Sequence, residues 1–253
     1  MIQLLRPEWP DLPGVQALST LRSGGVSPTP WDDGLGGGGL NLGLGSGDSA
    51  QNVMENRRLL RMLLPAEPAW LKQVHGTKVV DAAQVSEPPE ADASFTNQAN
   101  VVCAILTADC MPVLFADRAG KVVGAAHAGW RGLAGGVLEA TLGAMRGAGA
   151  QDIVAWMGPA IGPQQFEVGE DVLTAFAAQD AKAASAFHPR EGAPGKYLCD
   201  LYALARQRLQ AAGVKDICGG SHCTMTQTRQ FYSYRRDRIT GRMASLIWMS
   251  PSG

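Results

Sequence analysis

The sequence predicts an α+β fold in which mixed β-sheets pack together with flanking helices, as a single domain over residues 1–253. Short apolar runs outnumber the segments with helical spacing, and the two kinds do not alternate strictly, as a doubly wound parallel sheet would require. Apolar residues make up 45% of the chain, which is enough to bury a sizeable core. No internal repeat and no linker divides the sequence.

The N-terminal third predicts one helix and two short strands. Residues 34–47 are rich in glycine and formally contain G-x-G-x-x-G. No buried strand precedes this pattern and no helix begins in it, so it predicts a flexible surface loop rather than a dinucleotide site. The helix follows over residues 48–64, where Asp48 can cap its start and Pro65 ends it. Residues 69–81 then predict a strand, a turn and a second strand.

The clearest strands lie in the middle of the chain. V-V-C-A-I-L-T-A, residues 101–108, is a continuous apolar run bounded by polar residues, which is typical of a strand buried on both faces. Shorter apolar runs predict strands at 113–116 and 122–126. Cys110 and His127 therefore lie where strands end, a common position for catalytic residues.

The rest of the chain predicts three helices and three strands. In order, they are a helix from Leu133, a strand at 154–157, helices at 172–178 and 197–212, and strands at 214–218 and 244–249. Gly213 directly after the last helix is typical of a C-terminal cap.

Charge and cysteine content exclude several classes of partner. The 22 Lys and Arg residues against 23 Asp and Glu leave no basic excess to hold nucleic acid. No apolar run approaches the length of a membrane span, and the first residues lack the apolar core of a signal peptide. The five cysteines are odd in number and contain no C-x-x-C pair, which argues against a disulfide framework. We therefore expect a cytoplasmic protein without a nucleic-acid or membrane partner.

The four histidines and the cysteines are the candidates for reactive or metal-binding groups. His75 follows K-Q-V and precedes a glycine, which indicates a strand end open to a cleft. His188 and His222 have no accompanying pattern, and no functional role is predicted for them. Cys110 and His127 each follow or end an apolar run.

Three interpretations of Cys110 and His127 stay open from the residues alone. They are a buried thiol with a structural histidine, a nucleophile with its base, and two ligands of a shared metal. No H-E-x-x-H or H-x-H pattern decides between them. Asp109 beside the thiol, and Arg131 in G-W-R-G after His127, add an acid and a guanidinium at the same strand ends. This combination favours a functional site but does not name a reaction.

Several motifs together resemble one known family. They are K-Q-V-H-G, T-A-D-C-M-P-V-L, H-A-G-W-R-G, G-P-A-I-G-P-Q-Q-F-E-V-G and F-Y-S-Y-R-R-D-R-I-T-G-R-M-A, preceded by R-S-G-G-V-S and N-L-G. In this order they resemble the bacterial laccase-domain proteins, variously described as multicopper polyphenol oxidoreductases, purine nucleoside phosphorylases and peptidoglycan editing factors. The chain departs from the family pattern at residues 34–39, which look like an insertion able to alter the entrance of a site, and at Met225, where a tyrosine is usual.

The resemblance implies that His75, Cys110 and His127 bind zinc. Three protein ligands with a fourth position open is the arrangement of a catalytic zinc. The implied activity is the phosphorolysis of purine nucleosides, including adenosine, inosine and methylthioadenosine, with adenosine deamination as a second activity. The expected partners are therefore small molecules, namely purine nucleosides and phosphate. The oligomeric state is not predicted.

Further residues are candidates for that chemistry. Arg131, with backbone N–H groups at the start of the following helix, is a candidate for phosphate binding. Arg57 is a second phosphate candidate, with a surface arginine as the alternative, and Asn41 is a candidate substrate contact. Asp109 is the nearest acid for proton transfer, with a turn cap as the alternative, and Cys110 is a candidate catalytic residue.

The C-terminal segment F-Y-S-Y-R-R-D-R-I-T-G-R contains four arginines, Arg235, Arg236, Arg238 and Arg242. Because the chain has no net basic excess, they predict a structural loop first and recognition of an anionic substrate second.

Three other functions stay open. An amidase or cysteine hydrolase would use Cys110 and His127 as a dyad and remove a wrong amino acid from a nucleotide-linked muramoyl precursor, as the peptidoglycan-editing description implies. A copper oxidase would bind copper at the same residues, with Met111 as a weak ligand, but four histidines without an H-x-H pair are too few for a multicopper cluster. A non-enzymatic binding protein would hold no stoichiometric metal.

Overall fold

A computed structural model describes residues 1–251, which form three β-sheets with flanking helices. The strands are β1 (Leu4–Leu5), β2 (Val15–Thr20), β3 (Ser23–Ser27), β4 (Pro68–Ala69), β5 (Val79–Asp81), β6 (Ala93–Thr96), β7 (Val102–Thr107), β8 (Met111–Asp117), β9 (Val123–Ala128), β10 (Ile153–Met157), β11 (Glu167–Gly169), β12 (Phe187–Pro189), β13 (Lys196–Cys199), β14 (Ile217–Gly219) and β15 (Met243–Met249). The α-helices are α1 (Ala50–Arg61), α2 (Trp130–Gly135), α3 (Val137–Gly147), α4 (Glu170–Ala177), α5 (Leu201–Ala211) and α6 (Tyr234–Asp237). Within residues 1–251, every helix is too short or too polar to span a membrane.

Both large sheets mix parallel and antiparallel pairs, which confirms the predicted α+β class. The five-stranded sheet has the order β1-β2-β15-β7-β4 and is antiparallel except at its β4 edge. The six-stranded sheet has the order β14-β10-β8-β9-β6-β5 and is parallel only at its two edges. A small antiparallel sheet, β11-β13-β12, lies apart from these two.

Alternate residues of the central strands separate the core into layers, because successive side chains of a strand point to opposite faces. Cys103 and Ile105 of β7 join Leu114 of β8 in an apolar cluster between the two large sheets. Val102 and Ala104 of β7 join the cluster beneath α1. A third cluster packs α3, α4 and α5 on the outer face of the six-stranded sheet. The strand over residues 101–108 is thus buried on both faces, as predicted.

Strand pairing explains why Cys110 and His127 are neighbours. β8 and β9 are antiparallel, with Pro112 opposite His127 and Met111 opposite Ala128. The residue that precedes β8 therefore lies beside the end of β9, although the two are separated by a complete hairpin.

The first predicted helix is α1, but its N-terminal cap is different from the prediction. The hydroxyl of Ser49 accepts a hydrogen bond from the backbone N–H of Asn52, so Ser49 and not Asp48 is the cap. The carboxylate of Asp48 instead accepts hydrogen bonds from the side chains of Ser27 and Asn41, at 2.6 and 3.0 Å. It therefore fastens the start of the helix to the preceding loop.

The predicted start of the helix at residue 197 is wrong. Lys196–Cys199 forms β13, and α5 begins at Leu201, after Asp200 caps it by accepting a hydrogen bond from Ala203 N–H. The strand is favoured because β11 and β12 pair with it on both sides. Such pairing is a tertiary contact that helical spacing does not report.

The glycine-rich segment at residues 34–39 is a surface loop, as predicted. Its first four residues are exposed. One carboxylate oxygen of Asp33 accepts hydrogen bonds from Leu35 N–H and Gly37 N–H, both at 2.8 Å, and closes the turn. Gly39 ends the segment and forms isolated bridges to both ends of β3.

Candidate metal centre and substrate cleft

A cleft of about 740 Å³ lies where β7 and β9 end. It is lined by residues 43–46, Arg57 of α1, residues 70–73 with His75, Pro88, residues 106–108 with Cys110, His127, Tyr234 and Arg242. The lining residues from the ends of β7 and β9 are therefore Cys110, His127 and residues close to Cys110 in the sequence.

The structure brings His75, Cys110 and His127 together at the floor of this cleft. Their ligand atoms all lie within 4.8 Å of one another, and Cys110 Sγ is 3.8 Å from His75 Nε2. The rings of the two histidines meet edge to face, with centroids 4.8 Å apart. His127 is buried, Cys110 is half-buried and His75 is exposed, so the group is open on one side only.

This donor set fits a single metal ion. Two imidazole nitrogens and one thiolate suit zinc, with a fourth position left towards the cleft. Gly129 leaves the room that the group needs, because a Cβ at that residue would lie 2.9 Å from Cys110 Sγ and 3.1 Å from His75 Cδ2. The convergence implied by the family resemblance is therefore present in the fold.

Asp92 holds two of the three ligand residues, His75 and His127, in place. Its side chain is fully buried, and it accepts hydrogen bonds from the backbone N–H groups of Val74, His75 and Gly76 at 3.1, 2.9 and 2.7 Å. It also bonds His127 Nδ1 at 2.8 Å, which leaves Nε2 of that ring free as a ligand. The three N–H bonds hold His75 at φ 61°, in the left-handed region that a residue with a side chain rarely adopts.

Electrostatic coupling keeps the thiol ionised. Burial would raise the pKa of Cys110, but the neighbouring His127 and His75 imidazoles outweigh burial and lower it. Burial would lower the pKa of His127, but Cys110 and Asp92 outweigh it and raise that pKa. Burial also raises the pKa of the Cys103 thiol to about 12, so that thiol stays protonated and unreactive.

Two arginines line the cleft beside the metal group. The guanidinium of Arg57 lies 4.1 Å from the centroid of the Trp70 ring, and its Nε donates to Leu42 C=O at 3.0 Å. Arg242 donates from Nη1 to Thr240 C=O and Gly241 C=O. Burial lowers the pKa of both guanidinium groups. Arg57 is therefore half-buried in the cleft wall and is not a free surface side chain.

Asp109 and Arg131 do not line the cleft. Both carboxylate oxygens of Asp109 accept hydrogen bonds at 2.6 Å, one from the Thr224 hydroxyl and one from Arg235 N–H. Arg131 is exposed on α2, with its guanidinium 4.4 Å from the centroid of the Trp130 ring. The side chain of Asp109 thus joins distant loops and does not cap the turn that follows its own strand, and the catalytic roles of Asp109 and Arg131 stay predictions.

Asn41 is fully buried and holds the cleft wall from inside. Its Oδ1 accepts hydrogen bonds from Gly43 N–H at 3.1 Å and Arg242 N–H at 2.9 Å, and its Nδ2 donates to Ser46 and Asp48. Its contacts therefore fix the segment that carries Arg242.

The C-terminal arginines divide between structure and cleft. Arg236 donates to three backbone carbonyls, those of Thr224, Met225 and Phe231, and Arg235 donates to Glu167 C=O. Both bind the loop in place, as the structural interpretation predicts. Arg242 is the member of this group that lines the cleft.

Sequence reasoning missed Asp92, and one signal could have found it. It stands between two alanines, immediately before strand β6. An ionised side chain in such surroundings requires buried partners, which makes it a candidate to support a functional site. The identity of those partners depends on the loop around His75, which is distant in sequence.

The chain is similar in sequence to one family model and to several known proteins. The family model described as multi-copper polyphenol oxidoreductase laccase matches residues 16–250. The chain is 51% identical over 254 residues to purine nucleoside phosphorylase YfiH of Escherichia coli, covering 98% of this chain and 100% of that protein. It is 51% identical over 245 residues to purine nucleoside phosphorylase PA4543 of Pseudomonas aeruginosa, covering 97% of this chain and 98% of that protein.

A solved structure has the same fold. The crystal structure of Neisseria meningitidis protein NMB0706 matches with a TM-score of 0.90 and 47% sequence identity, covering 98% of this chain and 99% of that chain.

Proposed function

The chain belongs to the laccase-domain family described as multi-copper polyphenol oxidoreductase laccase, and from this membership we propose that it is a zinc-dependent purine nucleoside phosphorylase. Adenosine, inosine and methylthioadenosine are the proposed substrates, and adenosine deamination is a proposed second activity. One observation carries the proposal: a two-histidine, one-cysteine group at the floor of a cleft, in a chain about 50% identical to relatives that bear this name.

The proposed reaction exchanges one bond at the ribose. An oxygen of phosphate forms a bond to C1′ while the bond from C1′ to the purine nitrogen breaks. The electron pair of that bond leaves with the purine, which takes up a proton, and ribose 1-phosphate is the other product. The reaction thus requires a pocket for the nucleoside, a positive site for phosphate and a way to stabilise the departing base.

The cleft supports the first of these requirements. Its volume, about 740 Å³, lies within the range of small-molecule sites. Leu44 and Tyr234 line it, and each is 50% exposed although apolar or aromatic. Together with Trp70 they offer flat or apolar surface for a purine and its ribose.

The chain's own residues would hold the metal in a fixed position. Asp92 fixes the ring of His127 and the loop of His75, while Cys110 contributes a thiolate. Zinc, when bound there, supplies a Lewis acid that stabilises charge developing on the substrate. All four histidines of the chain lie within residues 1–251. In that range, one group of three residues, His75, Cys110 and His127, has metal-binding geometry. A site for one ion supports zinc over the several coppers of the family description.

The test combines metal analysis with a substrate comparison. Protein purified without chelators is expected to contain one zinc per chain and to release hypoxanthine from inosine only when phosphate is present. Cys110→Ala is expected to lose both the zinc and this activity, whereas Cys218→Ala, which removes a half-buried thiol outside the group, keeps both.

Other outcomes point to the rival functions. Full phosphorolysis by zinc-free Cys110→Ala contradicts the proposal. Turnover of the muramoyl conjugate without any nucleoside activity supports the amidase, and phenol oxidation with an intense blue colour after copper loading supports the oxidase.

A further inference from the structure

We propose that Arg57 and Arg242 together form the site that binds inorganic phosphate in the cleft. The inference rests on the proposed function, because phosphorolysis requires phosphate beside the nucleoside. Both guanidinium groups belong to the wall of the cleft whose floor carries Cys110. Phosphate is the ligand that such a pair matches, since each guanidinium presents parallel N–H donors to two oxygens at once.

The two arginines are fastened to one short segment of chain from opposite sides. Arg57 Nε donates to Leu42 C=O at 3.0 Å, and Leu42 N–H donates to Arg242 C=O at 3.1 Å. Gly43 lies directly under the side chain of Arg242, since a Cβ at Gly43 would be 2.6 Å from Arg242 Cγ. The side chains are therefore held beside the same cleft-lining loop before any ligand arrives.

Both guanidinium groups retain nitrogen atoms for a ligand. Among residues 1–251, the two terminal nitrogens of Arg57 have no hydrogen-bond acceptor, and neither do Nε and Nη2 of Arg242. Neither arginine forms an ion pair with a carboxylate in this part of the chain, although both are half-buried. Charges withdrawn from water are normally paired, so the free guanidinium nitrogens favour an anion from outside the chain.

Other arginines of the fold show the contrast. Three whose side chains are less than a fifth exposed each pair with an acid: Arg22 with Asp32, Arg208 with Glu139 and Arg236 with Asp237. Arg57 and Arg242 differ from these three arginines, because neither has a carboxylate within ion-pair distance among residues 1–251.

The position of the pair relative to the metal group suits phosphorolysis. Arg242 lines the same cleft as Cys110, His75 and His127, so its guanidinium and the metal group face one binding space. Trp70, stacked against Arg57, lines the same cleft. Phosphate held between the two arginines would therefore lie beside a nucleoside bound against the aromatic wall.

The test measures the dependence of turnover on phosphate at saturating inosine. Arg57→Gln and Arg242→Gln are each expected to raise the KM for phosphate about 10- to 100-fold, the range for losing charge-assisted hydrogen bonds. The KM for inosine changes much less. Arg242→Lys, which keeps the charge without the fork, is expected to fall between Arg242→Gln and the unaltered protein. Zinc content and thermal unfolding of each variant are measured alongside, so that a folding defect is recognised.

Arg58→Gln is the matched control. Arg58 is the next residue on α1, is exposed and pairs with Glu55 at 2.8 Å, so its loss is expected to leave the KM for phosphate unchanged. Unchanged phosphate KM in folded, zinc-loaded Arg57→Gln and Arg242→Gln overturns the inference. So does a raised phosphate KM in Arg131→Gln with none in the other two.

A second measurement separates this inference from the proposed function. Phosphate binding to the zinc-loaded protein is followed by phosphorus NMR without any nucleoside. Phosphate that binds the unaltered protein and not the two Gln variants supports the arginine site, even if inosine is never cleaved and the phosphorylase proposal fails. If inosine 5′-monophosphate binding depends on the arginines while free phosphate binding does not, the site recognises a nucleotide and the inference is overturned.

Discussion

Replacing Asp92 by Asn removes a negative charge from the fully buried hub of the metal group while nearly preserving its shape. The carboxylate accepts four hydrogen bonds, two on each oxygen: His75 N–H and His127 Nδ1 on Oδ1, and Val74 N–H and Gly76 N–H on Oδ2. An amide keeps one acceptor oxygen and turns an NH₂ donor towards the other two donors. At least two hydrogen bonds are therefore lost, and buried donors face one another.

The magnitude follows from these contacts. Hydrogen bonds to a charged group contribute about 1.5–3 kcal/mol each, so Asp92→Asn is expected to lower the free energy of unfolding by about 3–5 kcal/mol. In a domain of this size that corresponds to a fall in Tm of roughly 6–20 °C. Zinc affinity is expected to fall about 10- to 100-fold, because the ring of His127 and the loop of His75 lose their common support.

Two assays check this expectation on the full chain. Thermal unfolding of the metal-free protein gives the stability change, and competition with a chelator gives zinc affinity. Asp200→Asn is the control, because Asp200 caps α5 through one hydrogen bond to Ala203 N–H, a role that Asn fills equally well. Zinc affinity of Asp92→Asn equal to that of Asp200→Asn would refute the positioning role, even if Tm falls.

Three further predictions follow from the same site. Gly129→Ala is expected to weaken zinc binding about tenfold or more by chelator competition while the protein stays folded, because the backbone at Gly129 is extended and the three atoms nearest to a Cβ there belong to Cys110 and His75. Unchanged affinity contradicts the close packing. In alkylation mapped by mass spectrometry, bound zinc is expected to protect Cys110 from modification. Cys103 is expected to stay unmodified with or without zinc, because burial raises its pKa to about 12. Equal modification of Cys110 in the zinc-loaded and zinc-free protein counts against its role as a ligand. Burial would raise the pKa of Asp92, but its hydrogen bonds, led by that from His127, lower it below 3.8. Its stabilising effect is therefore present above pH 3.8 and lost as pH falls through the lowered pKa, so the stability gap to Asp92→Asn should close in acid and not in alkali.

Apolar patterning predicted much of the fold. The run at 101–108 is β7, and the runs that follow it are β8 and β9, because a strand buried on both faces must be continuously apolar whatever packs on it. Patterning failed at residues 196–199, where strand partners on both sides decide the conformation, and at β3, whose S-G-G-V-S carries no apolar signal. Such strands form because neighbouring chain segments offer them hydrogen bonds.

For the site, the sequence by itself determined which side chains end strands, and hence that Cys110 and His127 would lie near each other once β8 and β9 pair. Motif resemblance added His75. Only the tertiary structure decided that Asp92 joins these residues and that Arg242, not Arg131, lines the cleft. The physical reason is that local pattern fixes the direction of a side chain along its own element. Which distant loops share its hydrogen bonds is fixed by the packing of the whole chain.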